Sequence, residues 1–328
     1  MIYTVTLNPT MDRTMHFPEV TVGALNRARH SRTDYSGKGI NVSVALRELE
    51  IPSVTMGLIA GVYGQVMLAG LRAWGLTCDF LEAEGETRSN ITVIDEARGV
   101  TTKLNEPGPT AGEATVAAFE TLLRSRLQRG DGCVFSGSLP PGAPDDTYAR
   151  LVRAAHAQGA WAALDTSEPA LRLGCLAAPE WLKPNEIEAV ELTGLPFGTD
   201  DEIVAGMRAI LALGPQRVLL SLGAKGAAYA ESAASEDGAP PVDGAPPVCG
   251  AAIWRATPPA IQEISAVGAG DALHTGGLWA WMRGLPADEV LRWATAAGTA
   301  AAMLDGTIMP SFEQIKAVYG KVWMTRLA

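Results

Sequence analysis

The sequence predicts an α/β fold, in which a doubly wound, mostly parallel sheet carries helices on both faces and is joined by a small antiparallel β lid. From about residue 110 onward, short apolar runs alternate with segments of helical periodicity, which is typical of βαβ units. Segments of alternating polarity cluster instead at 13–36 and 86–108, where we expect the lid. Of the 328 residues, 47% are hydrophobic, which is enough for a large core. We therefore expect one domain over residues 1–328.

Composition disfavours several classes of function. The 26 basic and 36 acidic residues give a net charge of −10, which argues against nucleic acid or an anionic membrane surface as the main partner. The four cysteines are scattered without a C-x-x-C pair, so neither a disulfide framework nor a zinc site is indicated. The first residues lack a basic segment and a cleavage pattern, and no run approaches 18 apolar residues. These features predict a soluble, cytoplasmic protein.

Residues 2–7 (IYTVTL) are rich in β-branched residues and predict a buried strand that ends at Asn8-Pro9. Asp12 follows within a few residues, so we expect it near the carboxyl end of this strand. In open parallel sheets, ligands bind at that edge. Asp12 is therefore a candidate ligand contact, and a capping or turn residue is the alternative.

Residues 37–41 (GKGIN) lead into a segment whose apolar residues have helical spacing, which places the two glycines at a helix start. The Walker A spacing G-x-x-x-x-G-K-[ST] is absent. Lys38 and Asn41 at such a helix start could bind an anion and hydroxyl groups. A lysine solvated in a turn explains Lys38 equally well.

A strand at 53–61 and a helix at 64–74 precede a predicted hairpin, in which NITVID and VTTKLN flank the short turn ARG. Arg88, at the start of this hairpin, is either a surface residue or an anion contact. After residue 110 the predicted helices are 115–128, 148–158, 201–213, 287–304 and one that begins near Pro184. The predicted strands are 133–142, 161–167, a short one at 181 and a strand–turn–strand at 217–230.

Residues 231–250 interrupt this alternation. They are rich in Ala, Gly, Pro and acidic residues and contain DGAPPV followed by the near-copy DGAPPVCG. Such composition predicts a flexible surface insertion without a packed role.

The segment 265–283 contains Gly268-Ala269-Gly270-Asp271, followed by an apolar helix predicted from Ala272. Small residues let backbone N–H groups approach a ligand closely, and a helix N-terminus favours an anion such as phosphate. Asp271 would then lie beside the anion as a possible base. A glycine-rich turn capped by Asp271 is the structural alternative.

Asn185 and Glu188 are three residues apart on a predicted helix and so share one face. Magnesium keeps several waters and needs only one or two protein carboxylates together with substrate phosphates. This pair could therefore hold the water shell of a magnesium ion.

Taken in order, six motifs resemble those of the ribokinase-like (PfkB) carbohydrate kinases, over nearly the whole chain apart from the insertion. They are Asn8-Pro9-x-x-Asp12, Gly37-Lys38-Gly39-x-Asn41, Gly137-Ser138-Leu139-Pro140, Lys183-Pro184-Asn185-x-x-Glu188, Ser221-Leu222-Gly223 and Gly268-Ala269-Gly270-Asp271. The segments LNPTMDRT, SGKGINVSVAL, TRSN and NEPGP resemble the phosphosugar branch of the family. Two departures are Ser36, at a position that is often glycine, and 166–168 (TSE), which lacks a common glycine.

The resemblance implies a kinase that uses ATP and Mg²⁺, with Asp271 as the base toward a sugar hydroxyl and the N–H groups of Gly268, Ala269 and Gly270 as the anion hole. The residues implied to bind sugar hydroxyls are Asp12, Gly39 and Asn41. Those implied to hold the phosphate already on the substrate are Arg27, Lys38 and Arg88, with Ser138 nearby. Those implied to face ATP are Lys183, Asn185, Ser221, Gly223 and Gly226, and Asn185 with Glu188 would position magnesium.

A second anion site beside a sugar site makes sense if the acceptor is itself anionic, which favours a phosphosugar over a free sugar. The resemblance points to fructose 1-phosphate, and tagatose 6-phosphate and fructose 6-phosphate remain open. It also implies a possible homodimer formed through the lid. A Rossmann oxidoreductase is disfavoured because no G-x-G-x-x-G follows the first strand. A non-catalytic sugar-binding protein is disfavoured by the intact Asp271 motif.

Overall fold

A computed structural model describes residues 1–232 and 252–328, so the predicted insertion lies outside the described residues from position 233 onward. The described strands are β1 (Ile2–Thr6), β2 (Thr10–Phe17), β3 (His30–Ser36), β4 (Ser53–Ala60), β5 (Thr77–Ala83), β6 (Arg88–Asp95), β7 (Val100–Leu104), β8 (Gly132–Ser136), β9 (Trp161–Asp165), β10 (Trp181–Leu182), β11 (Arg217–Ser221), β12 (Ala227–Glu231), β13 (Ala252–Thr257) and β14 (Trp323–Arg326). The described α-helices are α1 (Lys38–Glu48), α2 (Gly61–Ala73), α3 (Glu113–Arg126), α4 (Thr147–Ala157), α5 (Ala170–Cys175), α6 (Glu186–Thr193), α7 (Asp200–Leu211), α8 (Ala269–Met282), α9 (Ala287–Ala302) and α10 (Phe312–Tyr319).

The predicted doubly wound sheet is confirmed. Its ten strands have the order β14-β13-β12-β11-β10-β9-β8-β1-β4-β5, and those from β11 to β5 are parallel. Strands β12, β13 and β14 extend one side in antiparallel fashion. Strands β1 and β8 are buried along their whole length, and β9 is buried from Ala162 onward, because helices cover both faces; this explains their continuous apolar runs. Within the described ranges, no helix is long and apolar enough to cross a membrane.

The lid is a four-stranded sheet with the order β3-β2-β6-β7. Its prediction as an antiparallel sheet was wrong, because β2 and β6 run parallel, with Asp12 opposite Asn90. The chain reaches β6 only after passing through β4, α2 and β5, so β2–β3 and β6–β7 are hairpins joined by a crossover. Asp12 also lies inside β2, not at the end of β1, because the chain enters the lid directly after Asn8-Pro9.

The arrangement of the large sheet determines where a ligand can bind. Chain order reverses at β1, which pairs with β4 on one side and β8 on the other. Parallel sheets bind ligands at the carboxyl ends of the strands beside such a reversal. At that edge, β9 ends with Asp165, Lys183 directly follows β10, and β11 ends with Ser221. The lid and the first turns of α1 and α8 contribute further candidate site residues near this edge.

Candidate active site

The start of α8 carries the candidate base. Gly268 has φ 79°, the left-handed conformation that favours glycine, and α8 begins at Ala269. The helix therefore starts three residues before the predicted Ala272, because the turn at Gly268 directs the chain into it at once. Asp271 consequently lies in the first turn and is 7% exposed. The Ala269 N–H donates to the Ala266 carbonyl at 3.3 Å. This hydrogen bond is long, so a bound anion could replace the carbonyl as the acceptor of this N–H.

One short hydrogen bond holds the Asp271 carboxylate, whose surroundings otherwise disfavour a negative charge. The Asn41 Nδ2 group donates to Asp271 Oδ2 at 2.7 Å. Burial, and then the negative charge of Asp165, raise the pKa of Asp271 to about 6, against the opposing effects of Asn41 and two lysines. A carboxylate with a pKa near the working pH is suited to general-base chemistry. This environment is compatible with the predicted base role of Asp271, which stays a prediction.

This pKa predicts an acid limb in the activity. A base works when deprotonated, so a raised pKa means that activity is lost as the pH falls through about 6. We expect kcat at saturating substrates to halve in this region and then to fall about tenfold for each further pH unit. Because a sugar phosphate also ionises near pH 6, the Asp271→Asn variant serves as the control. An unchanged acid limb in that variant would contradict the assignment.

A buried carboxylate that sequence reasoning missed links two lysines. Lys38 Nζ lies 2.7 Å from Asp165 Oδ1, and Lys183 Nζ lies 3.1 Å from Asp165 Oδ2. Asp165 is fully buried and Lys183 is 4% exposed. His274, one turn after Asp271 on α8, places its Nδ1 atom 3.9 Å from Asp165, and burial lowers the pKa of this histidine to about 3. Lys38 therefore already has a protein partner, unlike a lysine solvated in a turn.

The lid side of the cleft contains Asp12 and Arg88. Asp12 accepts hydrogen bonds from Thr10 and from Asn90 Nδ2, and burial raises its pKa. Arg88 donates to the Asn8 carbonyl at 2.9 Å, while burial lowers its pKa. Its Nε atom is buried without a hydrogen-bond partner among the described residues. A guanidinium with a free buried donor is suited to binding an oxyanion.

The remaining predicted acceptor contacts occupy different environments. Gly39 is required by close packing, since a Cβ there would lie 2.7 Å from the Val5 carbonyl oxygen. Ser138 is exposed in the turn after β8. Arg27 is exposed between β2 and β3, and no hydrogen bond or ion pair between described residues connects it to the cleft. Its role, like that of Ser138, stays a prediction.

A cavity of about 430 Å³ opens beside the first turn of α8, within the size range of small-molecule sites. Three of the residues predicted to face ATP line it, together with two from the predicted anion hole: Ser221, Gly223, Gly226, Ala269 and Gly270. Its other walls are largely apolar, from Pro258, Ile261 and Leu273 among others. The cavity and Asp271 therefore share the first turn of α8.

Asn185 and Glu188 form a capping box at the start of α6. The Asn185 N–H donates to Glu188 Oε2 at 2.8 Å, and the Glu188 N–H donates to Asn185 Oδ1 at 2.9 Å. Glu188 Oε1 is turned toward Lys38, 3.7 Å away. One carboxylate oxygen in this position fits a magnesium ion that is held mainly through water and substrate phosphates.

Comparisons with known proteins show which family the chain resembles over its length. Residues 5–314 match the pfkB family of carbohydrate kinases. A 1-phosphofructokinase of Bacillus subtilis is 32% identical over 327 residues, covering 100% of both chains. A 1-phosphofructokinase of Rhodobacter capsulatus is 34% identical and covers 97% of this chain and 95% of its own.

Solved structures show the same fold. Phosphofructokinase-2 of Escherichia coli, in complex with substrates and products, superimposes with a TM-score of 0.85 at 27% identity, covering 98% of each chain. A possible 1-phosphofructokinase of Thermotoga maritima gives a TM-score of 0.81 at 28% identity, covering 99% of each. The family's activity is the transfer of a phosphoryl group to a carbohydrate, which implies use of ATP. The chain therefore belongs to the pfkB family of carbohydrate kinases.

Proposed function

We propose that this protein transfers the γ-phosphoryl group of ATP to fructose 1-phosphate and so forms fructose 1,6-bisphosphate, in the cytoplasm. The observation that carries the proposal is the position of Asp271, a buried base on the helix turn that also borders the nucleotide-sized cavity. The desolvated Arg88 on the lid side supports an acceptor that already carries a phosphate. The curated relatives named 1-phosphofructokinase support the choice of fructose 1-phosphate.

In the proposed reaction, the oxygen of the sugar's 6-hydroxyl group attacks the γ-phosphorus of ATP while Asp271 accepts the proton of that hydroxyl group. The bond between the γ-phosphorus and the β–γ bridging oxygen breaks, and ADP leaves. Backbone N–H groups at the start of α8 stabilise charge on the phosphoryl oxygens in flight. Asp12 and Asn41 orient the sugar. Magnesium, held through Glu188 and Asn185, would neutralise charge on the ATP phosphates.

A coupled assay of ADP release with four acceptors tests this proposal: fructose 1-phosphate, fructose 6-phosphate, tagatose 6-phosphate and free fructose. We expect kcat/KM for fructose 1-phosphate to exceed that for free fructose by about 100-fold or more, because only the phosphosugar pairs with Arg88. Strong turnover of free fructose alone would contradict the phosphosugar assignment. A preference for either 6-phosphate would replace fructose 1-phosphate and leave the role of Arg88 intact.

We also propose that the protein forms a homodimer through the lid. Strand β7 is at the lid edge and is exposed throughout, with Val100 and Leu104 half exposed. An exposed strand edge with apolar side chains is a ready surface for pairing with a second copy. Light scattering at micromolar concentration should give twice the mass of one chain, and a monomer mass would refute the proposal.

A further inference from the structure

Asp165 is the most deeply buried charged group near the cleft, and no role has been assigned to it above. It is the last residue of β9, and its carboxylate is fully inaccessible to solvent. Its two lysine partners come from different parts of the chain, since Lys38 begins α1 and Lys183 follows β10. Because Leu164 and Leu182 are opposite each other in neighbouring parallel strands, Asp165 and Lys183 follow at the same level of the sheet. The register of the sheet therefore fixes this pair.

The cluster pairs two ammonium groups with two carboxylates, and Asp165 is the carboxylate that both lysines share. One carboxylate lies between two ammonium groups, and the lysines hold the pKa of Asp165 at about 2 in spite of its burial. Glu188 is the next carboxylate, 3.7 Å from Lys38, and the buried His274 is neutral above acidic pH. Burying charge is costly unless it is paired. The Lys38 side chain is nevertheless 37% exposed, so its ammonium group can still contact an anion in the cleft.

The position of the ammonium groups indicates which anion that is. A Cβ atom built on Gly270 would lie 3.9 Å from Lys183 Nζ, so this ammonium group is adjacent to the predicted anion hole. Lys38 lies one helical turn before Asn41, whose side chain contacts Asp271. Both lysines also lower the pKa of Asp271, which shows that their charges act on the base. Lys183 therefore lies beside the start of α8, and Lys38, bound to the same carboxylate, is close enough for its charge to act on Asp271.

We propose that Asp165 is a positioning residue that holds the Lys183 ammonium group beside Gly270 and the Lys38 ammonium group on the same carboxylate, so that both stabilise the phosphoryl group in transfer. Asp165 itself touches neither substrate. Lys38 then serves the transferred phosphoryl group, while Arg88 binds the phosphate already present on the acceptor. This inference rests on the kinase activity and not on the identity of the phosphosugar.

The test replaces Asp165 with Asn and measures kcat, both KM values and the pH profile with the best acceptor of the panel above. We expect kcat to fall about 100-fold, as when a preorganised stabilising group is lost, while both KM values change less than about threefold. The acid limb should move to lower pH, because the charge of Asp165 no longer raises the pKa of Asp271 and the two lysines are no longer offset. A shifted limb with wild-type kcat would show that Asp165 acts only through its charge on Asp271 and does not position the lysines.

Asp131→Asn is the matched control. Asp131 is a similarly buried carboxylate that pairs with the chain's N-terminal amine and directly precedes β8, a neighbour of β9, at the opposite end of the sheet. This variant should lower the melting temperature and leave kcat and the acid limb unchanged.

Three outcomes would overturn the proposal. They are a kcat of Asp165→Asn within threefold of wild type, an acid limb that stays in place, or a rate restored by excess Mg²⁺, which would make Asp165 a metal ligand. If Asp165→Asn does not fold, Asp165→Glu decides, because wild-type kcat with a displaced carboxylate would contradict positioning. If no acceptor of the panel reacts, the rate of phosphate-dependent ATP hydrolysis is compared instead between the wild type and the Asp165 and Asp131 variants.

Discussion

Replacing Asp271 with Asn is expected to lower kcat about 100-fold or more, while the affinity for ATP stays within about threefold of the wild-type value. The amide keeps the size of the side chain and its place in the first turn of α8, and it removes the group that accepts the proton. Steady-state kinetics at saturating ATP and phosphosugar give kcat, and titration calorimetry gives ATP affinity. The two measurements separate the loss of the base from the loss of the nucleotide site.

Asp201→Asn is the matched control for this variant. Asp201 also lies in the first turn of a helix, α7, but is exposed, so the same substitution removes a carboxylate near a helix start without touching the cleft. We expect its kcat to be unchanged. An Asp271→Asn variant with near-normal kcat would remove this residue from the mechanism.

The second large effect is expected for Arg88→Ala. Loss of a desolvated cation that binds the acceptor's phosphate should lower kcat/KM for the phosphosugar about 100-fold, mainly through KM. KM for ATP should stay unchanged, because other elements line the cavity that we propose for the nucleotide. Activity with free fructose, however weak, should also stay unchanged, since that acceptor has no phosphate to lose. Comparing the two acceptors in one variant isolates the contribution of the guanidinium group.

Arg13→Ala provides the control within the same sheet. Arg13 neighbours Asp12 in β2 but is exposed and points to the opposite face, as alternate residues of a strand do. We expect kinetics like those of the wild type. An equal loss of activity on both acceptors in Arg88→Ala would show that Arg88 maintains the lid and does not bind the phosphate.

The elements that the sequence predicted well are those with a strong local pattern. Continuous apolar runs predicted the buried parallel strands, and the glycines before Asp271 predicted a helix start, since both signals lie within a few consecutive residues. The lid was harder, because the parallel pairing of β2 with β6 joins segments that are more than 70 residues apart. Alternating polarity reveals such strands without revealing their direction.

Asp165 was missed for a related reason. In the sequence it ends the run WAALD and is followed by Thr-Ser, which is also the pattern of a strand that ends in a solvated turn. Only the pairing of β9 with β10 and the arrival of α1 show that two lysines enclose it. A useful signal is available nonetheless, because two consecutive predicted strands carry charges of opposite sign at their carboxyl ends, Asp165 in one and Lys183 after the other.

Two of the proposed acceptor contacts and two of the proposed donor-side charges lie in different parts of the molecule. Asp12 and Arg88 belong to the lid strands, whereas Asp165 and Lys183 belong to the edge of the ten-stranded sheet. A tilt of the lid would move Asp12 and Arg88 relative to a bound sugar, while Asp165 and Lys183 would keep their positions in the large sheet. We therefore expect that substitutions in the lid alone can change acceptor selectivity, while the residues proposed for phosphoryl transfer stay unchanged.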